Sequence, residues 1–100
     1  MHEKRNHARV PLNVTVSCER PDGEKFSAVS TDISIGGMFL QSEVEVPHGI
    51  ELVIVAKLPG AKQELKLPAV VRWVKPGGFG VQFGLLGAVD THAISQLMRG

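Results

Sequence analysis

The chain has 100 residues, of which 43% are hydrophobic and 21% are charged. That composition is typical of a single globular domain and excludes an intrinsically disordered chain. Eleven basic and ten acidic residues leave a net charge of +1, which is too small to indicate binding to duplex DNA or to an anionic membrane.

Cysteine usage and hydropathy narrow the class of protein further. Cys18 is the single cysteine, so no disulfide can form within the chain. No apolar stretch follows the basic N-terminus, so it does not have the form of a secretory signal. The longest apolar run is far shorter than the ~20 residues of a membrane-spanning helix. We therefore expect a soluble, cytoplasmic protein.

Six segments have the residue pattern of β-strands. Before them, residues 1–12 show no periodicity and are predicted to form an N-terminal arm, which leaves 13–100 as the folded domain. Val16 and Cys18 lie on the apolar face of the first strand, and Trp73 lies on the apolar face of the longest one. In chain order, the predicted strands are 13–19, 25–33, 38–41, 50–57, 64–75 and 79–83.

Apolar residues near the C-terminus recur with the spacing of an α-helix. Ile94, Leu97 and Met98 recur at helical spacing, and Asp90 or Thr91 is a suitable N-cap, which predicts a helix of about ten residues. A helix that short is marginal alone in water, so we expect it to pack on the sheet. Short strands followed by one helix predict an all-β domain, either an antiparallel barrel or a rolled sheet.

The second predicted strand runs into a polar stretch that contains two glycines, TDISIGGMFL at residues 31–40. Asp32 and Ser34 are two residues apart, so on a strand they share one face. Gly36 and Gly37 follow, where the backbone can adopt a positive φ or let a ligand approach closely. The spacing alone favours an ordinary turn, in which the Asp and Ser side chains bond nearby backbone amides.

Two arginines precede the first strand, in the sequence RNHAR at residues 5–9. Alone, Arg5 and Arg9 are most simply interpreted as a solvated basic arm. Each guanidinium also offers a planar fork of donors that matches a phosphate or the O6/N7 edge of guanine. Together with an aspartate, a serine and glycine amides, the pair would complement a guanine nucleotide with exposed phosphates.

The order of these two motifs, R-x-x-x-R and then D-x-S-x-x-G, resembles the PilZ domain family. PAVVRWVK at 68–75 is similar to a strand of that family, and PGGFGVQF at 76–83 is similar to its closing strand. The resemblance covers nearly the whole chain and implies a six-stranded antiparallel β-barrel with a C-terminal helix. Many PilZ domains are bacterial receptors for cyclic di-GMP, so the resemblance implies this dinucleotide as the ligand and no other cofactor.

The resemblance also implies a role for the arginine motif. Arg5 and Arg9 would hold the phosphates and the guanine edges of the ligand. Many members of the family have a further arginine directly before this motif, where this chain has Lys4. Lysine keeps the charge without the planar fork, which leaves open whether one or two ligand molecules bind.

For the second motif, the resemblance implies contacts on the other side of the ligand. Asp32 and Ser34 would bond one base. Gly37, together with Gly36, would leave room for the ligand against the sheet. These residues complete the predicted binding site.

We therefore predict a binding protein and not an enzyme, because no nucleophile–base set, P-loop or metal-ligand spacing is present. The predicted role is that of a cyclic di-GMP receptor that acts as an adaptor for an unidentified effector protein, since we expect no output domain on the same chain. The alternative is a PilZ-like barrel that does not bind nucleotide and serves only as a protein-interaction module. Few aromatic residues and a small net charge argue against DNA or RNA as a partner, and no membrane partner is expected.

Overall fold

The computed structural model of the protein describes residues 9–99. All neighbouring strands are antiparallel, and the six strands close into a barrel in the order β1-β2-β3-β6-β5-β4. The predicted all-β class, with a six-stranded barrel and a C-terminal helix, is confirmed. The elements are β1 (Val10–Glu19), β2 (Lys25–Ile33), β3 (Gly37–Gln41), β4 (Glu51–Ala56), β5 (Leu65–Lys75), β6 (Gly78–Phe83) and α1 (Ala88–Met98).

The first strand begins earlier than the sequence predicts. β1 starts at Val10, so the last three residues of the predicted 1–12 arm belong to the sheet. Pro11, within this added part of the strand, has no backbone N–H to donate. β4 pairs with β1 only at residues 17–19, so one side of the first part of β1 has no strand beside it. Proline is tolerated at such a strand edge.

The interior of the barrel is filled by side chains that alternate along the strands. Cys18 and Val16 are buried, as predicted for the apolar face of β1. Side chains of this kind are shielded from water on all sides, and their burial is the main favourable term in folding. The largest fully buried side chains in the strands are Phe79, Ile33, Met38, Leu40, Ile54 and Leu67.

The C-terminal helix starts before the predicted cap. Gly87 is the N-cap, and Asp90 lies in the first turn of α1, where its negative charge is favourable near the helix N-terminus. Ile94 is buried and Leu97 is half-buried against the core, so the predicted apolar face does pack on the barrel. Within residues 9–99, no helix is both long and apolar enough to cross a bilayer.

Trp73 lies on the outer surface, so the prediction that it shares the apolar face of β5 is wrong. The β5–β6 register shifts between Val71 and Trp73, because Arg72 is an extra residue in β5. Such a bulge reverses the facing of the side chains that follow it. Val71 is fully buried, whereas Trp73 is 43% exposed.

Candidate functional site

Arg9 and Asp32, one residue from each predicted motif, contact each other. Arg9 Nη1 donates a hydrogen bond to Asp32 Oδ1 at 2.6 Å, although the two residues are 23 positions apart in sequence. The β1–β2 ladder makes the contact possible, because Val10 pairs with Ile33 and Pro11 pairs with Asp32. The two motifs therefore meet at one end of the β1–β2 hairpin.

Both side chains of this pair remain accessible to a ligand. Their exposed fractions are 31% for Arg9 and 33% for Asp32. A guanidinium has five N–H donors and a carboxylate has two acceptor oxygens, so one bond between them leaves further donors and acceptors. A partly exposed ion pair also adds little stability, roughly 0–1 kcal/mol. The pair is therefore better suited to binding than to holding the fold together.

Asp32 belongs to a row of paired residues that crosses the outer surface of four strands. Asp32 pairs with Phe39 of β3, Phe39 pairs with Gly80 of β6, and Gly80 pairs with Trp73 of β5. Since neighbouring strands lie about 4.8 Å apart, the row extends roughly 14 Å from Asp32 to Trp73. An acidic group stands at one end of the row, with aromatic groups in its middle and at its other end.

Two glycines of β6 let the aromatic rings of this row lie against the sheet. A Cβ atom on Gly80 would overlap the Trp73 indole, and a Cβ atom on Gly78 would overlap the Phe39 ring. The Lys75 ammonium lies 4.8 Å from the centroid of the Phe39 ring, in the range of a cation–π contact. The outer surface of β6 is therefore covered by rings that belong to its neighbours.

The aromatic end of the row is also cationic. Arg72 Nε donates a hydrogen bond to Gln82 Oε1 at 2.8 Å, which holds the guanidinium on the outer surface beside Trp73. With Lys75 nearby, this end of the row carries positive charge and flat rings together. Anionic nucleotides are recognised by that combination of groups.

The three register shifts of the described sheet all adjoin this row. A β-bulge bends its strand and re-aims side chains, and bulges are common beside functional sites. Their clustering here indicates a surface shaped for binding. The shifts lie between Pro11 and Val14, between Ser30 and Asp32, and between Val71 and Trp73.

Ser34 does not share an exposed strand face with Asp32, so that expectation is wrong. β2 ends at Ile33, and Ser34 is buried in the turn that follows. Its Oγ accepts a hydrogen bond from the Gly36 N–H at 3.2 Å and donates one to the Gly37 carbonyl at 3.4 Å. The hydroxyl therefore holds the turn in shape, which is the ordinary-turn interpretation of the pattern.

Gly37 is explained by the contact between β3 and β6. Its φ is not positive, and a Cβ atom at this position would overlap the Val81 carbonyl oxygen. The Gly36 carbonyl accepts a hydrogen bond from the Phe83 N–H at 2.8 Å, which ties the same turn to β6. The group that approaches Gly37 closely is thus the backbone of the neighbouring strand.

The remaining candidates add no reactive group. Lys4 and Arg5 lie outside the described residues. Within residues 9–99, no three His, Cys, Asp or Glu side chains form a group that could hold a metal ion. Cys18 is fully buried, and burial raises the pKa of its thiol to about 12, so the thiol is neutral and inert at physiological pH.

Comparison with known proteins gives the family. The chain belongs to the PilZ domain family, whose model matches residues 3–100. Among curated proteins, the UDP-forming cellulose synthase catalytic subunit of Xanthomonas axonopodis pv. citri (strain 306) is 35% identical over 79 residues. That match covers 79% of this chain and 11% of the synthase subunit, so the chain spans only a small part of its relative.

Solved structures share the barrel. The PilZ domain of YcgR from Escherichia coli with c-di-GMP has a TM-score of 0.78 at 13% identity, covering 97% of this chain and 90% of that one. The inhibitor of motility MotI/DgrA of Bacillus subtilis has a TM-score of 0.77 at 19% identity, covering 98% and 51%. The PilZ domain of CeSA from a cellulose-synthesizing bacterium has a TM-score of 0.73 at 22% identity, covering 93% and 96%. At these identities the likeness shows the fold.

Proposed function

We propose that this protein is a receptor for cyclic di-GMP, which binds on the outer surface of the barrel along the row from Asp32 to Trp73. The observation that carries the proposal is the contact between Arg9 and Asp32 at the end of that row. It joins one residue from each of the two motifs whose order resembles that of the family. The YcgR PilZ domain, solved with c-di-GMP, has the same fold and supports this choice of ligand.

The chemistry of the row fits the parts of a cyclic guanine dinucleotide. The Asp32 carboxylate accepts hydrogen bonds from guanine N1–H and N2–H₂. Arg9 donates from its free N–H groups to a phosphate or to the O6/N7 edge of a base. Trp73 and Phe39 offer ring faces on which a base stacks, and stacking on an aromatic side chain contributes ~1–3 kcal/mol per base.

The other motif residues support the same site. Lys4 and Arg5 bring further positive charge to the phosphates, by the resemblance of the N-terminal motif to that of the family. Ser34 acts by holding the turn after β2, and Gly36 and Gly37 keep that turn tight against β6. In this proposal Ser34 is a positioning residue, because its hydroxyl is already bonded within the turn.

The bound ligand acts as a signal to another protein. PilZ domains are ligand-binding domains, and the site described above holds no nucleophile with a base beside it, so we propose an adaptor and no catalytic step. A dinucleotide on the row covers the surface between β1 and β5 and adds its own charge to it. An effector protein would then recognise a surface that differs between the two states, which shifts its binding equilibrium.

Thermal unfolding with cyclic di-GMP, GTP and a single-stranded oligonucleotide tests this function. A ligand present at a hundred times its Kd adds about 2.7 kcal/mol to the free energy of unfolding. We expect stabilisation by cyclic di-GMP alone. Equal stabilisation by GTP would contradict a site for the dinucleotide, and stabilisation by the oligonucleotide alone would indicate a nucleic-acid-binding barrel.

A further inference from the structure

A second surface of the barrel is open, apart from the row that begins at Asp32. It is a groove of about 1110 Å³, lined by part of β2, by the connection between β3 and β4, and by the β5–β6 hairpin. Arg9, Asp32 and Trp73 do not line it. Lys75 and Gly78 line it, however, and they also adjoin the Phe39 ring of the row. The proposed ligand site therefore accounts for only one margin of this groove.

One side of the groove is a stretch of β2 without a strand beside it. β2 pairs with β1 over its whole length, but β3 pairs with it only from Val29 onward, because β3 ends at Gln41. Among the described residues, no backbone hydrogen bond joins 26–28 to the facing segment 42–46. Along a strand, the backbone N–H and C=O groups of successive residues point toward opposite neighbouring strands. Some of the backbone groups of 26–28 therefore point away from β1 and are available to an added strand.

The opposite side of the groove carries exposed apolar side chains, two acidic residues and one basic residue, Lys75. Val44 and Val74 line it and are 38% and 48% exposed, which is unusual for aliphatic side chains in one small patch. Glu43 and Glu45 are exposed on the same segment, and neither carboxylate forms a salt bridge among the described residues. The Arg20 guanidinium donates a hydrogen bond to the Glu45 backbone carbonyl at 3.3 Å, a contact that does not engage the carboxylate itself. Apolar and acidic groups thus alternate along 42–46, which is the pattern of an extended segment.

We propose that this groove binds an extended segment of a partner protein, which adds as a strand beside residues 26–28 of β2 and carries alternating apolar and basic side chains. Strand addition supplies backbone hydrogen bonds, and pockets for alternate side chains supply specificity. The apolar side chains would contact Val44 and Val74, and the basic ones would pair with Glu43 and Glu45. This surface goes beyond the proposed function and does not depend on the dinucleotide.

The proposal is tested on the whole chain with three synthetic heptapeptides and no nucleotide. KVKVKVK has the required alternation, EVEVEVE reverses its charge, and KKKKVVV has its composition without the alternation. In a titration followed by NMR of the backbone amides, we expect saturable binding of KVKVKVK only, with shifts at 26–28 and 42–46. We also expect slower hydrogen exchange at an amide of 26–28, which contact through side chains alone would not produce. Binding of none of them, equal binding of KKKKVVV, or shifts elsewhere on the barrel would overturn the proposal.

Charge-reversal variants test the acidic side of the groove. The variant Glu43→Lys/Glu45→Lys is expected to bind KVKVKVK about tenfold more weakly, since each exposed pair contributes at most about 1 kcal/mol. Glu51→Lys/Glu64→Lys is the matched control, because it makes the same charge change at exposed residues that do not line the groove. All four residues are exposed, so both variants should fold, and thermal unfolding verifies this. Equal loss of affinity in the two variants would show attraction to net charge and would overturn the proposal.

Discussion

Arg9 and Asp32 are joined by a hydrogen bond of 2.6 Å between Nη1 and Oδ1, although they are 23 positions apart in sequence. The bond forms where β1 and β2 pair, and it brings an arginine of the first motif to the aspartate of the second. Neither side chain is buried, so the bond contributes little to the stability of the barrel. We therefore expect changes at Arg9 to affect binding much more than folding.

Replacing Arg9 with alanine is expected to weaken cyclic di-GMP binding ~10- to 150-fold, because a hydrogen bond to a charged group contributes about 1.5–3 kcal/mol. Calorimetric titration measures this loss. The melting temperature should stay near that of the wild type, since only a partly exposed ion pair is lost. Lys62→Ala, in the exposed β4–β5 loop, is the control and should bind normally. Normal binding by the Arg9 variant would refute its role.

The fluorescence of Trp73 can be followed without a label, because it is the single tryptophan of the chain. If a base stacks on its indole, the fluorescence emission changes on titration with cyclic di-GMP. Trp73→Ala should then lose ~5- to 150-fold in affinity, from the ~1–3 kcal/mol of one stacked base. Trp73→Phe keeps a ring face and should lose much less. Calorimetry shows independently whether the ligand is bound. If the ligand is bound and the emission does not change at saturation, the ligand lies away from this end of the row.

Alanine substitutions at Gly37 and Gly84 test whether the turn after β2 needs a glycine where β3 packs against β6. A Cβ atom at Gly37 would overlap the Val81 carbonyl, whereas the nearest atoms to one at Gly84 are 3.7 Å away, an ordinary contact. Gly37→Ala should therefore lower the free energy of unfolding by about 1–3 kcal/mol, and Gly84→Ala should change it far less. Denaturant unfolding of both variants measures the difference. Similar stabilities would mean that β3 and β6 can separate at this point without loss.

Because the Cys18 thiol is buried, we expect the free energy of unfolding to fall at alkaline pH. Burial raises the pKa of its thiol to about 12 in the folded protein, against 9.0 for the ordinary group. Above pH 9 the unfolded chain loses this proton while the folded chain keeps it, so the free energy of unfolding falls as pH rises from 9 toward 12. The slope from this one group approaches 1.4 kcal/mol per pH unit.

The control for this effect is Cys18→Ala, which lacks the thiol but has the same lysines and arginines. The stability difference between wild type and variant should therefore shrink as the pH rises above 9. A difference that stays constant from pH 8 to pH 11 would show that the thiol ionises in the folded protein as easily as in the unfolded chain.

The strands and the barrel could be predicted because alternation is a local signal. Val16 and Cys18 enter the core as the period of two requires. The position of Trp73 could not be predicted, because one extra residue at Arg72 shifts the register without disturbing the local composition. A signal was present on the partner strand, however. Gly78 and Gly80 alternate with Phe79, so two outward-facing positions of this strand have no side chain. Such positions leave space for aromatic rings from the neighbouring strands.

The candidate site was predicted in part. The meeting of the arginine motif with Asp32 could be expected only from the family, since no local pattern reports a contact across 23 residues. The role of Ser34 differed from the expectation because Ser34 follows the end of β2 at Ile33 and so lies in the turn, where it shares no strand face with Asp32. A serine hydroxyl in a turn tends to form hydrogen bonds with the nearby backbone. In Ser34 these bonds hold the side chain inside the turn, so it is not directed toward a ligand.

An NMR titration of the whole chain with cyclic di-GMP shows whether the dinucleotide binds along the row from Asp32 to Trp73. We expect that the backbone amides of Arg9 and Asp32 and the indole N–H of Trp73 shift together and saturate at one concentration. Amides of the β4–β5 loop, on another part of the barrel, should not move. Saturating shifts that leave out Asp32 and Trp73, or no shifts at millimolar ligand, would contradict binding along this row.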